Sequence, residues 1–101
     1  MKKVKKKTVV AKNNKELMSL LGLTPADGME IEFRSELNSK IIEIVSKKNL
    51  THAQVAVLAA TSRTRVTAIM NRHTHEISTD LMLRILGALG CSAKVIFKEA
   101  A

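Results

Sequence analysis

The chain has 101 residues, enough for one domain with a modest core, and 46% of them are hydrophobic. It contains two Phe and neither Trp nor Tyr, so the core must be aliphatic, which favours packed helices over a β-sandwich. The single cysteine, Cys91, excludes an intramolecular disulfide and predicts a reducing, cytoplasmic location. No apolar run follows the charged start of the chain, so neither a secretion signal nor a membrane span is expected.

The net charge of +8 is distributed unevenly along the chain. Residues 1–15 hold seven Lys and no acid, whereas residues 16–46 hold six acids against two bases. Residues 47–75 then hold five cations and no acid, and residues 76–101 are balanced. A folded basic segment is expected to bind a phosphate backbone, although a solvated charged surface is the simpler alternative.

The amino-terminal part of the chain is predicted to contain a tail and a short helix. Residues 1–12 are rich in Lys and poor in core formers, which predicts a flexible tail before a single domain over residues 13–101. Asn13 or Asn14 is suited to cap a short helix over residues 15–21.

A long helix is predicted next, ending near Lys48. Thr24 is a suitable N-cap and Pro25 fits the first helical position. Gly28 weakens this start and leaves open a start near Ile31. Apolar residues recur every fourth position, as expected for one buried helix face: Met29, Phe33, Leu37, Ile41 and Val45.

Residues 51–72 predict two short helices joined by a tight turn. Thr51 and Gln54 have the spacing of a capping box, and Ser62 is suited to cap the second helix. The side chains predicted to face inward are Val55, Leu58 and Ala59 on the first helix, and Val66, Ile69 and Met70 on the second.

A further helix and a strand are predicted to complete the domain. Ser78 or Thr79 is suited to cap the helix, and Gly90 to end it. Its predicted apolar face consists of Leu81, Met82, Ile85, Leu86 and Leu89. Residues 91–98 then alternate by two, which predicts a strand with one buried face.

The predicted strand over residues 91–98 needs a partner for its backbone hydrogen bonds. The same strand of a second copy is the simplest partner, which predicts a two-fold homodimer with Ala93, Val95 and Phe97 as contact residues. An unstructured tail, or pairing with residues 8–11, remains the alternative.

From Arg34 to its end the chain resembles the Cro-type (XRE) helix-turn-helix family. The resemblance rests on residues 50–56, 62–66 and 68–71. It implies a mainly α-helical, lambda-repressor-like bundle that binds DNA as a transcriptional repressor. Two positions depart from the family pattern: Ala60 stands where Gly is common, and Thr61 where an aliphatic residue is common, which leaves the turn geometry open.

About nine-tenths of the chain also resembles a narrower group, the small HigA-type antitoxins. The carrying segments are the helix over residues 13–23, the acidic long helix, and residues 86–90 with the strand that follows. This resemblance implies an autoregulating antitoxin of a type II toxin–antitoxin pair, which neutralises a RelE/HigB-like toxin. The toxin-binding part is expected either in residues 1–21 or on the acidic helix around residues 30–43. The alternative is a stand-alone XRE-family regulator with no toxin partner.

The second of the two short helices is expected to enter the major groove of double-stranded DNA, amino end first. Arg63 matches guanine O6 and N7, and Thr64 and Thr67 suit a base edge or a thymine methyl. Arg65 suits either a base or a phosphate. The predicted DNA-binding residues are His52, Ser62, Arg63, Thr64, Arg65, Thr67, Asn71 and Arg72. A dimer is expected to bind an inverted repeat with half-sites ~34 Å apart.

An enzyme, a metal site or a bound cofactor is not expected. The only suggestive residues are His52, His73, His75 and Cys91, and they lack a paired cysteine at zinc spacing. Binding to single-stranded RNA usually needs exposed aromatic side chains, and both Phe33 and Phe97 fall at positions predicted to be buried.

Overall fold

A computed structural model describes residues 16–17 and 20–99. Within this part of the chain the helices are α1 (Pro25–Lys47), α2 (His52–Ala59), α3 (Arg63–Met70) and α4 (Thr79–Ala88). The mainly α-helical class is therefore confirmed. The chain divides into two compact units between Phe33 and Arg34. The predicted tail over residues 1–12 and the predicted cap at Asn13 or Asn14 lie outside the described residues.

The first unit contains a short helical segment before α1. Glu16, Leu17 and Leu20 are helical, and the amide of Leu21 donates to the carbonyl of Leu17 at 3.1 Å. Gly22 follows with a φ of 76°, a conformation in which glycine carries no steric cost. The helical segment therefore ends just before this glycine.

Thr24 and Asp27 cap the amino end of α1 by exchanging hydrogen bonds. The amide of Asp27 donates to Thr24 Oγ1 at 3.0 Å, and the amide of Thr24 donates to Asp27 Oδ2 at 3.0 Å. The hydrogen bonds from the Thr24 backbone and then from its hydroxyl lower the pKa of the exposed Asp27 carboxyl, because they favour its charged form. The cap is therefore fully formed at neutral pH and weakens as the pH falls through this lowered pKa.

The core of the second unit is aliphatic, as the composition predicts. Three α1 residues at four-residue spacing, Leu37, Ile41 and Val45, are 4% exposed or less. The remaining buried hydrophobic residues are Val55, Ala56, Ala59, Val66, Ile69, Ile77, Leu81, Met82, Ile85, Leu86 and Leu89. The predicted α4 face is confirmed in full, whereas the prediction for Leu58 is wrong, since this side chain is 54% exposed.

Donor side chains from neighbouring elements bind the carboxyl-terminal carbonyls of three helices in this unit. Buried Asn38 on α1 donates to the carbonyl of Ile69 at 2.8 Å. Arg84 Nε donates to the carbonyl of Ala59 at 3.2 Å, and Lys48 Nζ donates to that of Leu89 at 3.0 Å. These donors satisfy carbonyls that have no partner within their own helices, and the two cations also oppose the negative ends of the helix dipoles.

The turn between α2 and α3 has the left-handed geometry that glycine adopts most readily. Ala60 is left-handed, with φ 54° and ψ 51°, and the amide of Thr61 donates to the carbonyl of Ala56 at 2.9 Å. The turn therefore forms despite the alanine, at a steric cost that glycine would avoid. Thr61 Oγ1 is buried and has no hydrogen-bond partner among the described residues, which adds a second cost.

Replacement of Ala60 by Gly is expected to raise the free energy of unfolding by about 0.5–1 kcal/mol. Relief of the left-handed strain exceeds the extra backbone entropy that glycine adds to the unfolded chain. Urea unfolding followed by circular dichroism measures the change. Ala53→Gly is the matched control, because Ala53 lies within α2, where the same substitution should cost about 1 kcal/mol. Destabilisation by both variants would contradict the strain assigned to Ala60.

The predicted strand over residues 91–98 is not found. Residues 91–99 have no regular secondary structure, and no described residue is assigned to a strand. The predicted buried face is open to solvent: Ala93 is exposed, Val95 is 55% exposed and Phe97 is 90% exposed. Strand geometry needs a ladder partner, and the single chain offers none in its described part.

Candidate nucleic-acid interface

The orientation of α3 is fixed by its cap and its buried side chains. Ser62 Oγ accepts a hydrogen bond from the amide of Arg65 at 3.2 Å, which confirms Ser62 as the N-cap. Val66 and Ile69 are 1% and 0% exposed. Since a helix turns by about 100° per residue, the side opposite these two residues carries the side chains of Thr64, Thr67, Ala68 and Asn71.

The amino end of α3 presents two cations that are free to bind a ligand. Arg63, Thr64 and Arg65 are all exposed, and neither guanidinium forms a hydrogen bond or ion pair with another described residue. Neither α2 nor α3 contains an acidic residue. This end of α3 is therefore electropositive, and its donors need no rearrangement before they meet an anion or a base edge.

The exposed side of α3 that carries Thr64, Thr67, Ala68 and Asn71 is called the α3 face. His52, at the start of α2, contacts this face from one side. Its Nδ1 lies 2.8 Å from Thr67 Oγ1 on α3. Thr51 caps α2 through a complete capping box: the Gln54 amide donates to Thr51 Oγ1 at 3.0 Å, and the Thr51 amide donates to Gln54 Oε1 at 2.8 Å. The cap fixes the amino end of α2. At this end two predicted site residues, His52 and Thr67, are in direct contact.

An open cleft of about 630 Å³ lies on the other side of the face. It is lined by Ser62, Thr64, Arg65, Ala68, His73, His75, Glu76 and Ile77. Arg34 on α1 holds the loop that forms one wall, because its guanidinium donates to the carbonyl of Thr74 at 2.6 Å and to Thr79 Oγ1 at 2.9 Å. Arg65 therefore lies beside a cleft with an anchored wall.

Two cations of the basic segment are already engaged within the protein. Arg72 has a φ of 61°, and its Nη2 donates to Ser39 Oγ on α1 at 3.1 Å. Lys48 donates to the carbonyl of Leu89. Asn71, by contrast, is an exposed residue at the carboxyl end of α3. The segment thus offers fewer free cations than its sequence charge suggests.

The anchoring residues Arg34 and Arg84 did not emerge from the sequence pattern. Arg84 binds the carbonyl of Ala59, 25 residues earlier, and Arg34 reaches the loop 40 residues later. For Arg84 the only local signal is a cation among the apolar residues of α4, and it does not indicate a partner. Arg34 lies in a helix with many other charged residues and gives no such signal. The roles of both residues follow from the packing of the helices.

The described residues meet neither the requirements of a metal site nor those of a membrane-spanning helix. Among the described residues, no three His, Cys, Asp or Glu side chains lie together as metal ligands would. Of the helices described, none has the length and apolar character required to cross a membrane.

Comparison with known families identifies the domain. The profile of a family described as a helix-turn-helix domain matches residues 18–98. The chain belongs to this helix-turn-helix domain family. The match includes α2, the turn at Ala60 and α3. Comparison with curated proteins and with solved structures gives no match.

Membership in the helix-turn-helix domain family indicates a DNA-binding regulator rather than an enzyme. The finer XRE and HigA-type assignments are narrower than the family that matches, and they stay predictions. The eight predicted DNA-binding residues are tested by neither the family nor the fold, although the structure places them around one exposed helix.

Proposed function

We propose that the protein is a transcriptional repressor that reads DNA with α3. The observation that carries this proposal is the exposed face of α3, a helix without acidic residues, with two guanidinium groups at its amino end that have no partner among the described residues. A face of this kind suits the major groove, where side chains reach base edges between two phosphate backbones. His52 on one side and the cleft beside Arg65 on the other are placed to meet those backbones.

Each exposed residue of this face has a proposed role. Arg63 donates to guanine O6 and N7, and Thr64 and Thr67 contact a base edge or a thymine methyl. Arg65 and Asn71 bind phosphate oxygens, as does Nε2 of His52. Ser62 contributes mainly by capping α3, since its hydroxyl oxygen already accepts from a backbone amide. Arg72 contributes through the N–H groups that Ser39 leaves free.

The test of this proposal is selection of bound duplexes from a random DNA pool at ~150 mM salt. Repression by a two-fold dimer predicts an enriched inverted repeat with half-sites ~34 Å apart. A version of this sequence upstream of the protein's own reading frame would connect binding to autoregulation. If the selection recovers no preferred sequence and affinity depends only on salt concentration, the protein binds DNA by non-specific electrostatic attraction and the proposal is wrong.

The proposed dimer forms through residues 91–98 of two copies. Support comes from the alternation of this segment and from the exposure of Val95 and Phe97, whose apolar side chains are costly to leave in water. Pairing of two such segments about a two-fold axis would supply the ladder partner that a single chain lacks.

Val95→Lys combined with Phe97→Lys is expected to shift the protein toward monomer, with at least a tenfold rise in the dimer dissociation constant. Two lysines on the paired face would lie opposite lysines of the second copy, and their like charges would repel. Sedimentation equilibrium measures the constant. Ile96→Lys is the control, because this exposed residue lies on the opposite face of the alternation. Equal weakening by Ile96→Lys would exclude a strand-like register.

We also propose a protein partner, a basic RelE/HigB-like toxin, for the first unit. The described residues of this unit expose apolar side chains: Leu17 at 45%, Leu20 at 51%, Leu21 at 64%, Met29 at 67% and Ile31 at 55%. Glu30 and Glu32 are also exposed. Apolar side chains bordered by carboxylates favour a basic protein as the partner. The Lys-rich residues 1–15, the other predicted toxin-binding segment, lie outside the described residues.

Co-expression with a small basic protein encoded beside this one tests the antitoxin role. Wild type is expected to co-purify with that protein, and Glu30→Lys with Glu32→Lys to lose it while still binding DNA. Retention of the partner by the charge-reversed variant would move the binding site away from the acidic surface. Absence of any such neighbour and partner would favour the stand-alone regulator.

A further inference from the structure

The contact between His52 and Thr67 lies at the centre of the α3 face. Thr67 is half-buried, and its neighbours at helical spacing, Arg63, Thr64 and Asn71, are exposed. Nδ1 of His52 and Oγ1 of Thr67 are 2.8 Å apart, so one of the two must donate a hydrogen. A threonine hydroxyl has a single hydrogen, so the direction of this bond determines what Thr67 can offer a base.

We propose that His52 is a positioning residue that sets the base preference at the position Thr67 contacts. This inference rests on the proposed reading of DNA by α3. His52 acts without touching a base: a phosphate holds its Nε2, and its Nδ1 fixes the direction of the hydroxyl hydrogen of Thr67. The DNA backbone, the imidazole, the hydroxyl and the base edge thereby form one hydrogen-bonded chain.

A neutral His52 leaves Thr67 as a hydrogen-bond acceptor toward the base. Phosphate oxygens only accept, so a neutral imidazole that binds one through Nε2 carries its hydrogen there. Nδ1 then accepts the hydrogen of the Thr67 hydroxyl. The free lone pair of Oγ1 accepts from adenine N6 or cytosine N4.

A protonated His52 reverses this bond. The added proton binds Nδ1, which becomes a donor to Thr67 Oγ1, and the phosphate bond at Nε2 is kept. The hydroxyl hydrogen of Thr67 is then free to point outward. It donates to an acceptor in the major groove, namely a purine N7, guanine O6 or thymine O4.

The helices that pack against α2 carry few charged residues. Helices α3 and α4 pack against α2, and α2 itself contains no Asp, Glu, Lys or Arg. Helix α3 contributes Arg63 and Arg65, and α4 contributes Asp80 and Arg84. Arg84 is bound at the opposite end of α2, at the carbonyl of Ala59. The phosphate is therefore the main partner for a charged imidazole.

The test is duplex selection with wild type at about pH 6 and about pH 8, the range in which histidine changes charge. The Thr67→Val variant identifies the position, since it loses the hydroxyl but keeps the shape. At that position the ratio of affinities for donor-bearing and acceptor-bearing bases is expected to change roughly threefold to tenfold between the two pH values. His52→Gln, which does not titrate, should show the same base preference at both.

His75→Gln is the matched control, because it also removes a histidine near the face but one that does not contact Thr67. This variant should keep the pH-dependent preference. A wild-type preference that does not change with pH, or a change that survives in His52→Gln, would overturn the inference while leaving α3 as the reading helix. Failure to enrich any sequence at either pH would instead count against the proposed function itself.

Discussion

Truncation of Val66 to Ala is expected to lower the free energy of unfolding by about 2–3 kcal/mol. Val66 is 1% exposed and faces the core from the centre of α3. Loss of two methyl groups there removes buried apolar area and leaves a cavity that the surrounding core side chains fill only in part. Thermal and urea unfolding followed by circular dichroism measure the loss.

Val57→Ala is the matched control for this prediction. Val57 lies in the neighbouring helix α2, which also has eight residues, but its side chain is 81% exposed. The same chemical change should alter the free energy of unfolding by no more than about 0.5 kcal/mol. Similar losses in the two variants would mean that α3 does not pack against the core as described.

Replacement of Arg63 by Ala is expected to weaken binding to the selected DNA site by about 1–3 kcal/mol, a loss of roughly fivefold to 150-fold. The Arg63 guanidinium has no partner among the described residues, so no contact within that part of the chain offsets the loss of its bonds to guanine. The preference at one base position should disappear as well. Fluorescence anisotropy titrations on the selected duplex and on single-base variants measure both effects.

Lys40→Ala is the control for Arg63→Ala. It removes the same formal charge from an exposed site on α1, where Lys40 pairs with Glu43 at 3.3 Å. A long-range charge effect would appear equally in both variants and would vanish at high salt. Loss of base preference in Arg63→Ala alone would identify a direct contact. Equal affinity losses with unchanged preference in both would reduce Arg63 to a contributor of net charge.

The parts of the fold that sequence predicts best are those decided by local interactions. The caps at Thr51 and Ser62 bind amides three residues ahead, so spacing alone reveals them. The four-residue spacing of Leu37, Ile41 and Val45 likewise predicts the buried side of α1. The geometry of the turn is different, because the sequence leaves it open at Ala60 and only the structure shows this residue in the left-handed conformation.

The parts that sequence could not predict depend on packing between distant residues. Asn38 reaches a carbonyl 31 residues away, and His52 reaches a hydroxyl 15 residues away. Nothing in the local sequence indicates either hydrogen-bond partner. Helical spacing also predicts Leu58 in the core, yet Leu58 is 54% exposed and Ala56 is buried. Segment 91–98 alternates like a strand, but alternation does not provide the neighbour that a strand needs.

The central claim is that α3 enters the major groove, and methylation interference on the selected duplex tests it most directly. Methylation of guanine N7 blocks the major groove, whereas methylation of adenine N3 blocks the minor groove. We predict that guanine N7 methylation within each half-site prevents binding, and that Arg63→Ala becomes insensitive at one of these guanines. Interference by adenine N3 methylation alone would place the protein in the minor groove and contradict the account.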